Sequence, residues 1–122
     1  MDLYKKQAKL FKVLMHPVRL AILDILRDGE QCVCHMEAIL GLRQAYISQQ
    51  LMVLRDADLV EDRRDGWNIF YRVVKPQVYE VIEAARAVLG DKIEKSPAEL
   101  AVLEVSSTCT CPKCSGTASE KS

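Results

Sequence analysis

No apolar run in the 122-residue sequence approaches the ~20 residues that span a bilayer, so no membrane-crossing helix is expected. Neither sign of charge is in excess: Lys and Arg together number 17, as do Asp and Glu. That balance argues at first against a nucleic-acid binder, whose usual footprint is a basic surplus. The five glycines form no phosphate-cradling loop, and no set of nucleophile, base and acid stands out, so an enzyme is not expected. Histidine occurs twice, and not at all between Gln77 and Asp91. The opening Met-Asp-Leu-Tyr-Lys-Lys lacks the charged-then-apolar pattern of a signal peptide. A cytoplasmic location is therefore the expectation.

What is present suits one small globular domain: 49% apolar and 28% charged residues. Cysteine is the unusual component. The count of five is odd, so a fully paired disulfide framework within one chain is impossible, and a reducing cytoplasm disfavours disulfides in any case. Two cysteines lie in Cys32-Val33-Cys34 and three in Cys109-Thr110-Cys111-Pro112-Lys113-Cys114. Clustering of this kind points to metal chelation or redox chemistry, whereas buried structural cysteines would be scattered.

Along the chain, Leu3, Ala8, Phe11, Leu14 and Met15 recur near a helical period, with lysines on the other faces. Pro17 suits the first turn of a second helix. The run Val18–Leu26 is apolar nearly all round, as a central buried helix would be, and Gly29 ends it. A short third helix is expected over Val33–Leu40, with Met36, Ile39 and Leu40 inward and Gly41 as its left-handed cap. A fourth follows from Gln44 to about Asp56, with Ile47, Leu51 and Leu54 inward and Tyr46, Gln49 and Gln50 outward. Two helices joined by a tight glycine-containing turn form a helix-turn-helix. The period then changes: Leu59–Arg64 and Trp67–Val74 read as strands joined through Asp65-Gly66, a hairpin signal. Pro76 opens a last amphipathic helix. This order predicts a mainly α fold with a two-stranded β-hairpin wing, a dimeric winged helix-turn-helix. Residues 1–96 are expected to form the DNA-binding and dimerisation domain, and 97–122 a flexible cysteine-containing tail, with 98–105 able to add a short helix.

Several motifs in that order resemble the ArsR/SmtB family of metal-sensing repressors over roughly residues 8–90. Phe11-Lys12-Val13-Leu14-Met15-His16-Pro17-Val18-Arg19-Leu20-Ala21-Ile22-Leu23 is similar to the family's entry into its second helix. Glu30-Gln31-Cys32-Val33-Cys34 resembles its thiol motif, and Arg43–Arg55 its recognition helix. Arg63-Arg64-Asp65-Gly66 with Phe70-Tyr71-Arg72 is similar to its wing. The resemblance implies a homodimeric repressor on palindromic operator DNA near efflux or detoxification genes. The family often carries His where Gln49 and Gln50 stand, so its operator preference does not transfer.

The residues support the DNA reading independently. Gln44, Ser48, Gln49 and Gln50 place hydrogen-bonding groups where a recognition helix reaches base edges, with Tyr46 beside them, and a Gln can bond an adenine edge with both amide atoms. Arg43, Arg63 and Arg64 suit phosphates or the minor groove. Overall neutrality is answered by distribution: residues 1–28 carry a local excess of three positive charges. Non-specific binding should then be weak and easily screened.

Cys32 and Cys34, two apart, diverge on a regular helix and converge only if they straddle a helix start, where the thiolate is also favoured. Trigonal As(III) or Sb(III) takes three sulfurs, and softer Cd(II), Pb(II) or Zn(II) commonly four. The remaining metal ligands are most economically Cys109, Cys111 and Cys114. His35 reads as a ligand or, preferably, a surface residue without a role, and His16 as a capping or packing residue. Some family members hold zinc on the last helix; without His there, that site is not expected. Val78, Val81, Ile82 and Ala85 read instead as a dimer seam with Leu3 and Phe11 of the first helix. The expected switch is DNA release on metal binding. Thiol oxidation or persulfide sensing is the alternative, and a metal-storage module a third.

Overall fold

The computed structural model describes residues 1–90. Five helices are present there: α1 (Asp2–Leu14), α2 (Pro17–Ile25), α3 (Val33–Leu40), α4 (Gln44–Asp56) and α5 (Gln77–Leu89). Three strands accompany them: β1 (Gln31–Cys32), β2 (Val60–Asp65) and β3 (Asn68–Val73). The expected two-stranded hairpin wing is present as β2 and β3, and β1 joins it to make a three-stranded antiparallel sheet in the order β1-β3-β2. Gln31 pairs with Tyr71 and Cys32 with Phe70. A strand of two residues is too short to show any period of its own, and only its partner reveals it.

Local chemistry sets the boundaries. His16 is extended and accepts the Val18 N–H on its Nδ1 at 3.2 Å, capping α2 directly before Pro17. Gly41 closes α3 in the left-handed region at φ 66°, its N–H returning to the Glu37 carbonyl. That turn lets α4 start three residues later. Gly66, also at positive φ, makes the hairpin turn between β2 and β3.

The core lies between α2, α3, α4 and the inner face of the sheet. Ile22, Leu23, Met36, Ile47, Leu51 and Leu54 are fully enclosed, joined by Val60 and Tyr71 from the strands and Val78 and Ile82 from α5. In α1 only Leu14 is buried. Strand β3 departs from simple alternation because Phe70 and Tyr71 are both buried. Tyr71 faces the main core, while Phe70 faces outward and is covered by Cys32, with Cys34 packed alongside.

One buried charge ties α2 to α5. The Asp24 side chain, 4% exposed, accepts from Arg27 at 3.0 Å and from Arg86 at 3.1 Å. Glu83 pairs with both arginines, so the cluster is charge-balanced. Beside it Tyr79 donates to the Leu23 carbonyl at 2.6 Å, with Arg27 over its ring; burial pushes the phenol far above its usual range, and it stays a donor. Asp24→Ala removes the buried one of the two carboxylates that these guanidinium groups share. We expect a loss of about 3 kcal/mol in urea unfolding at fixed protein concentration, at the low end for breaking a buried pair because the arginines keep some contact with water.

Candidate functional site

The helix-turn-helix presents the N-terminal half of α4 outward. Arg43, just before its first turn, is exposed, as are Gln44, Tyr46 and Gln49, and Ser48 is half-buried. Gln50 corrects the sequence expectation. It is only 8% exposed, and its Oε1 accepts from Arg19 Nε at 2.9 Å. Arg19 also donates to the Val13 carbonyl at 3.0 Å, so one guanidinium joins the end of α1, the start of α2 and the middle of α4. Gln50 therefore holds the recognition helix in place, and the bidentate adenine contact assigned to it is not open. Tyr46 is anchored in a similar way. With its Nδ1 occupied as the cap, His16 places Nε2 3.3 Å from the Tyr46 hydroxyl. The capping role expected for His16 is thus seen, together with a link to α4 that the sequence did not suggest.

On the wing, Arg63 and Arg64 alternate to opposite faces. Arg64 stands opposite Ile69 and is exposed. Arg63 stands opposite Phe70, lies over its ring, and is held by Glu30, whose hydrogen bonds raise the guanidinium pKa above its usual value. Arg72 pairs with Glu61, and Arg55 of α4 with Asp62, bracing the hairpin against the recognition helix. Trp67, which no sequence signal assigned to the interface, is fully exposed beside Gly66 at the hairpin apex. An aromatic directly after Asp65-Gly66 was the cue available. Lys5, Lys6, Lys9 and Lys12 are all exposed on α1, while Arg27 is committed to Asp24; the accessible positive charge of the first 28 residues is thus mainly lysine.

The two N-terminal thiols do straddle a helix start. Cys32 is extended and caps α3, its Sγ accepting the His35 N–H at 3.3 Å, while Cys34 lies in the first turn. Their sulfurs are 2.7 Å apart, not joined in a disulfide, with Cys32 buried and Cys34 half-buried. As a metal centre the pair supplies two soft donors on one side. Among the described residues no group of three His, Cys, Asp or Glu side chains is arranged to hold an ion. Cys109, Cys111 and Cys114, and the tail boundary at 97, lie outside the described residues. His35 is buried at 3% exposure, which corrects its reading as a surface residue; it packs into the fold at the first turn of α3.

The expected dimer seam changes composition. Val78 and Ile82 are buried in the chain's own core, because their face of α5 covers α2 and the sheet. Leu3, Phe11 and Ala85 are exposed as expected, Val81 is half-buried, and Val88 is exposed. Between α1, α5 and the base of the sheet lies a groove of 520 Å³ bordered by Leu10, Leu59, Val74 and Val81.

The two glutamines of α4 are therefore predicted to separate cleanly. Gln49→Ala should weaken binding to a preferred duplex by about 1–3 kcal/mol, the cost of one base contact, with little change on unrelated DNA. Gln50→Ala should leave base preference unchanged and lower unfolding stability by about 1 kcal/mol. Competition binding and urea titration of the two variants check both.

The chain matches the model for "Bacterial regulatory protein, arsR family" over residues 16–62. It is 37% identical over 109 residues to the HTH-type transcriptional regulator Rv0081 of Mycobacterium tuberculosis, covering 88% of this chain and 96% of that protein. The crystal structure of Rv0081 superposes with a TM-score of 0.66 over 74% of this chain and 91% of that one, at 40% identity. A biofilm growth-associated repressor of Agrobacterium fabrum is 44% identical over 81 residues, 66% of this chain and 69% of its own. The solution structure of a homodimeric winged helix-turn-helix DNA-binding domain, Mb0332 of Mycobacterium bovis, is similar with a TM-score of 0.64 and 30% identity, over 73% of this chain and 82% of that one. Among the described residues no helix is long and apolar enough to cross a membrane. With its recognition helix and wing on one surface and this similarity along nearly its whole length, the chain belongs to the arsR family of bacterial regulatory proteins, as a DNA-binding transcriptional regulator and not an enzyme.

Proposed function

We propose that the protein is a homodimeric repressor that leaves its operator when a soft metal or metalloid, As(III) or Sb(III) first, binds Cys32, Cys34 and a third thiolate from Cys109, Cys111 or Cys114. The observation that carries this reading is the approach of the two sulfurs to 2.7 Å at the start of the first helix of the helix-turn-helix. A trigonal pnictogen needs one further sulfur there, and Cd(II), Pb(II) or Zn(II) commonly two. The three-cysteine cluster at 109–114 is the economical source of either.

Dimerisation follows from the apolar residues left outside the core. Leu3, Phe11, Val81, Ala85 and Val88 lie on α1 and α5, and burying such a surface against a second copy is favourable. Twofold symmetry then sets two recognition helices on two half-sites of a palindrome. Cys32 shares its apolar cluster with Phe70 of the wing, so a ligand that resets the spacing of Cys32 and Cys34 acts on the DNA-binding surface from within. Linkage makes the effect reciprocal: DNA must weaken metal binding by the factor that metal weakens DNA binding.

The test uses a fluorescein-labelled duplex selected by the wild-type chain from a random pool and followed by anisotropy under reducing conditions. Titration with As(III) or Sb(III) should release it, with Cd(II), Pb(II) and Zn(II) as separate arms. Cys32→Ser/Cys34→Ser should stay bound throughout. Cys109→Ser/Cys111→Ser/Cys114→Ser should lose at least tenfold in apparent metal affinity, as expected when a donor is removed from the first coordination sphere. Release by oxidant without metal would assign the switch to thiol oxidation, and no release by any ion defeats metal sensing.

A further inference from the structure

The outer face of the sheet carries Cys32, Phe70 and Arg63 in one row across three strands. Cys32 of β1 pairs with Phe70 of β3, and Phe70 pairs with Arg63 of β2. Cys32 and Phe70 are buried against each other, and the Arg63 guanidinium carbon sits 4.9 Å from the Phe70 ring centroid. Glu30, two residues before Cys32, completes the row. Its Oε1 accepts from Arg63 Nη2 at 2.7 Å and its Oε2 from Nε at 3.0 Å. On the other side Asp65 Oδ2 lies 3.8 Å from Nη1.

A carboxylate that takes Nε and Nη2 together occupies the edge of the guanidinium that a phosphate would take in the same two-toothed geometry. One edge cannot serve both. With Glu30 and Asp65 both against it, Arg63 contributes no net positive charge to the wing, and the local sum is repulsive toward a DNA strand. The Arg63 side chain is about half exposed, and ion pairs at such positions are weak enough to exchange partners.

We propose that Glu30 is an intramolecular stand-in for backbone phosphate at Arg63, and that it connects the Cys32–Cys34 pair to the wing. Engagement of a phosphate through the Nε–Nη2 edge of Arg63 requires the Glu30 pair to open. Cys32 is fixed to Phe70, and Glu30 is two residues away on the same segment, so a ligand that shifts Cys32 changes the reach of Glu30 to Arg63. The connection to the thiols rests on the effector reading above; the competition between Glu30 and phosphate does not.

The test is a two-by-two cycle on the intact chain with the selected duplex, in chelator and reductant, across a series of salt concentrations. Glu30→Gln should bind several-fold more tightly than wild type at moderate salt, and its slope of log K against log salt should steepen by about 0.9, the signature of one added phosphate contact. Arg63→Gln should bind more weakly than Glu30→Gln, with a slope no steeper than that of wild type. Glu30→Gln/Arg63→Gln should match Arg63→Gln, because the effect of Glu30 acts through that arginine. Equal gains with and without Arg63 overturn the proposal, as does weaker binding by Glu30→Gln, which would make Glu30 a scaffold that presents Arg63. Glu30→Asp, which keeps the charge and shortens the reach, should reproduce part of the gain; wild-type behaviour there also counts against direct competition. Thermal melts establish that each variant is folded.

Adding As(III) to the same set tests the link to the thiols. Its effect on DNA affinity should be at least threefold smaller in Glu30→Gln than in wild type, and an undiminished effect removes Glu30 from the route. If As(III) fails to release wild-type protein, the effector reading fails while the metal-free cycle still decides the competition.

Discussion

The pairing of two residues, Gln31 and Cys32, with Tyr71 and Phe70 is the constraint on which the functional surface depends. It fastens the start of α3 to the central strand of the wing. It adds a main-chain link to the side-chain packing of the hairpin against α3 and α4. With it, the residue that caps α3 also covers the outer face of β3, and Phe70 can be large and apolar on a side that hairpins normally give to water. Arg63 then stacks on a ring already held from beneath. A capping interaction, a packing interaction and a charge thus share one line of side chains.

The recognition helix is held from the opposite direction. Arg19 reaches from α2 to the Gln50 amide and to the end of α1, and His16 spans from its own helix cap to Tyr46. These contacts come from the elbow between α1 and α2, while the Asp24 cluster fixes α2 against α5. A change in the packing of α1 and α5 has a short route to α4 through Arg19, and one at the thiols has a separate route to the wing through Phe70. The two DNA-facing elements are therefore positioned by different parts of the fold.

Much of the fold was legible because its boundaries are written in local chemistry. Pro17, Gly41 and the Asp65-Gly66 turn each impose a backbone state that depends little on distant residues, and α2, α3, α4 and the hairpin fall close to where they point. The convergence of Cys32 and Cys34 was legible for the same reason, since it follows from helix geometry at one turn. What could not be read depends on partners far along the chain. Strand β1 exists only because β3 passes about 40 residues later, and Gln50 is buried because Arg19, 31 residues earlier, meets it. Val78 and Ile82 lie on an apolar stripe whose period identifies a helix face but not whether the chain's own core or another copy covers it. His35 was misjudged by the same limit, and Phe70 shows it too: a position facing away from the main core is not necessarily in water.

The sheet also sets how the wing deforms. Strand β1 supports β3 only at Phe70 and Tyr71, whereas β2 and β3 stay paired out to Asp65 and Asn68. Beyond the end of β1 the wing is a two-stranded ribbon, which on its own is marginally stable and twists more readily than a wider sheet. The hairpin is thus a cantilever, clamped at its root and compliant toward Trp67. Its tip can follow the local width of a groove at small elastic cost, while any bending moment is concentrated at the clamp, where Cys32 lies beneath Phe70.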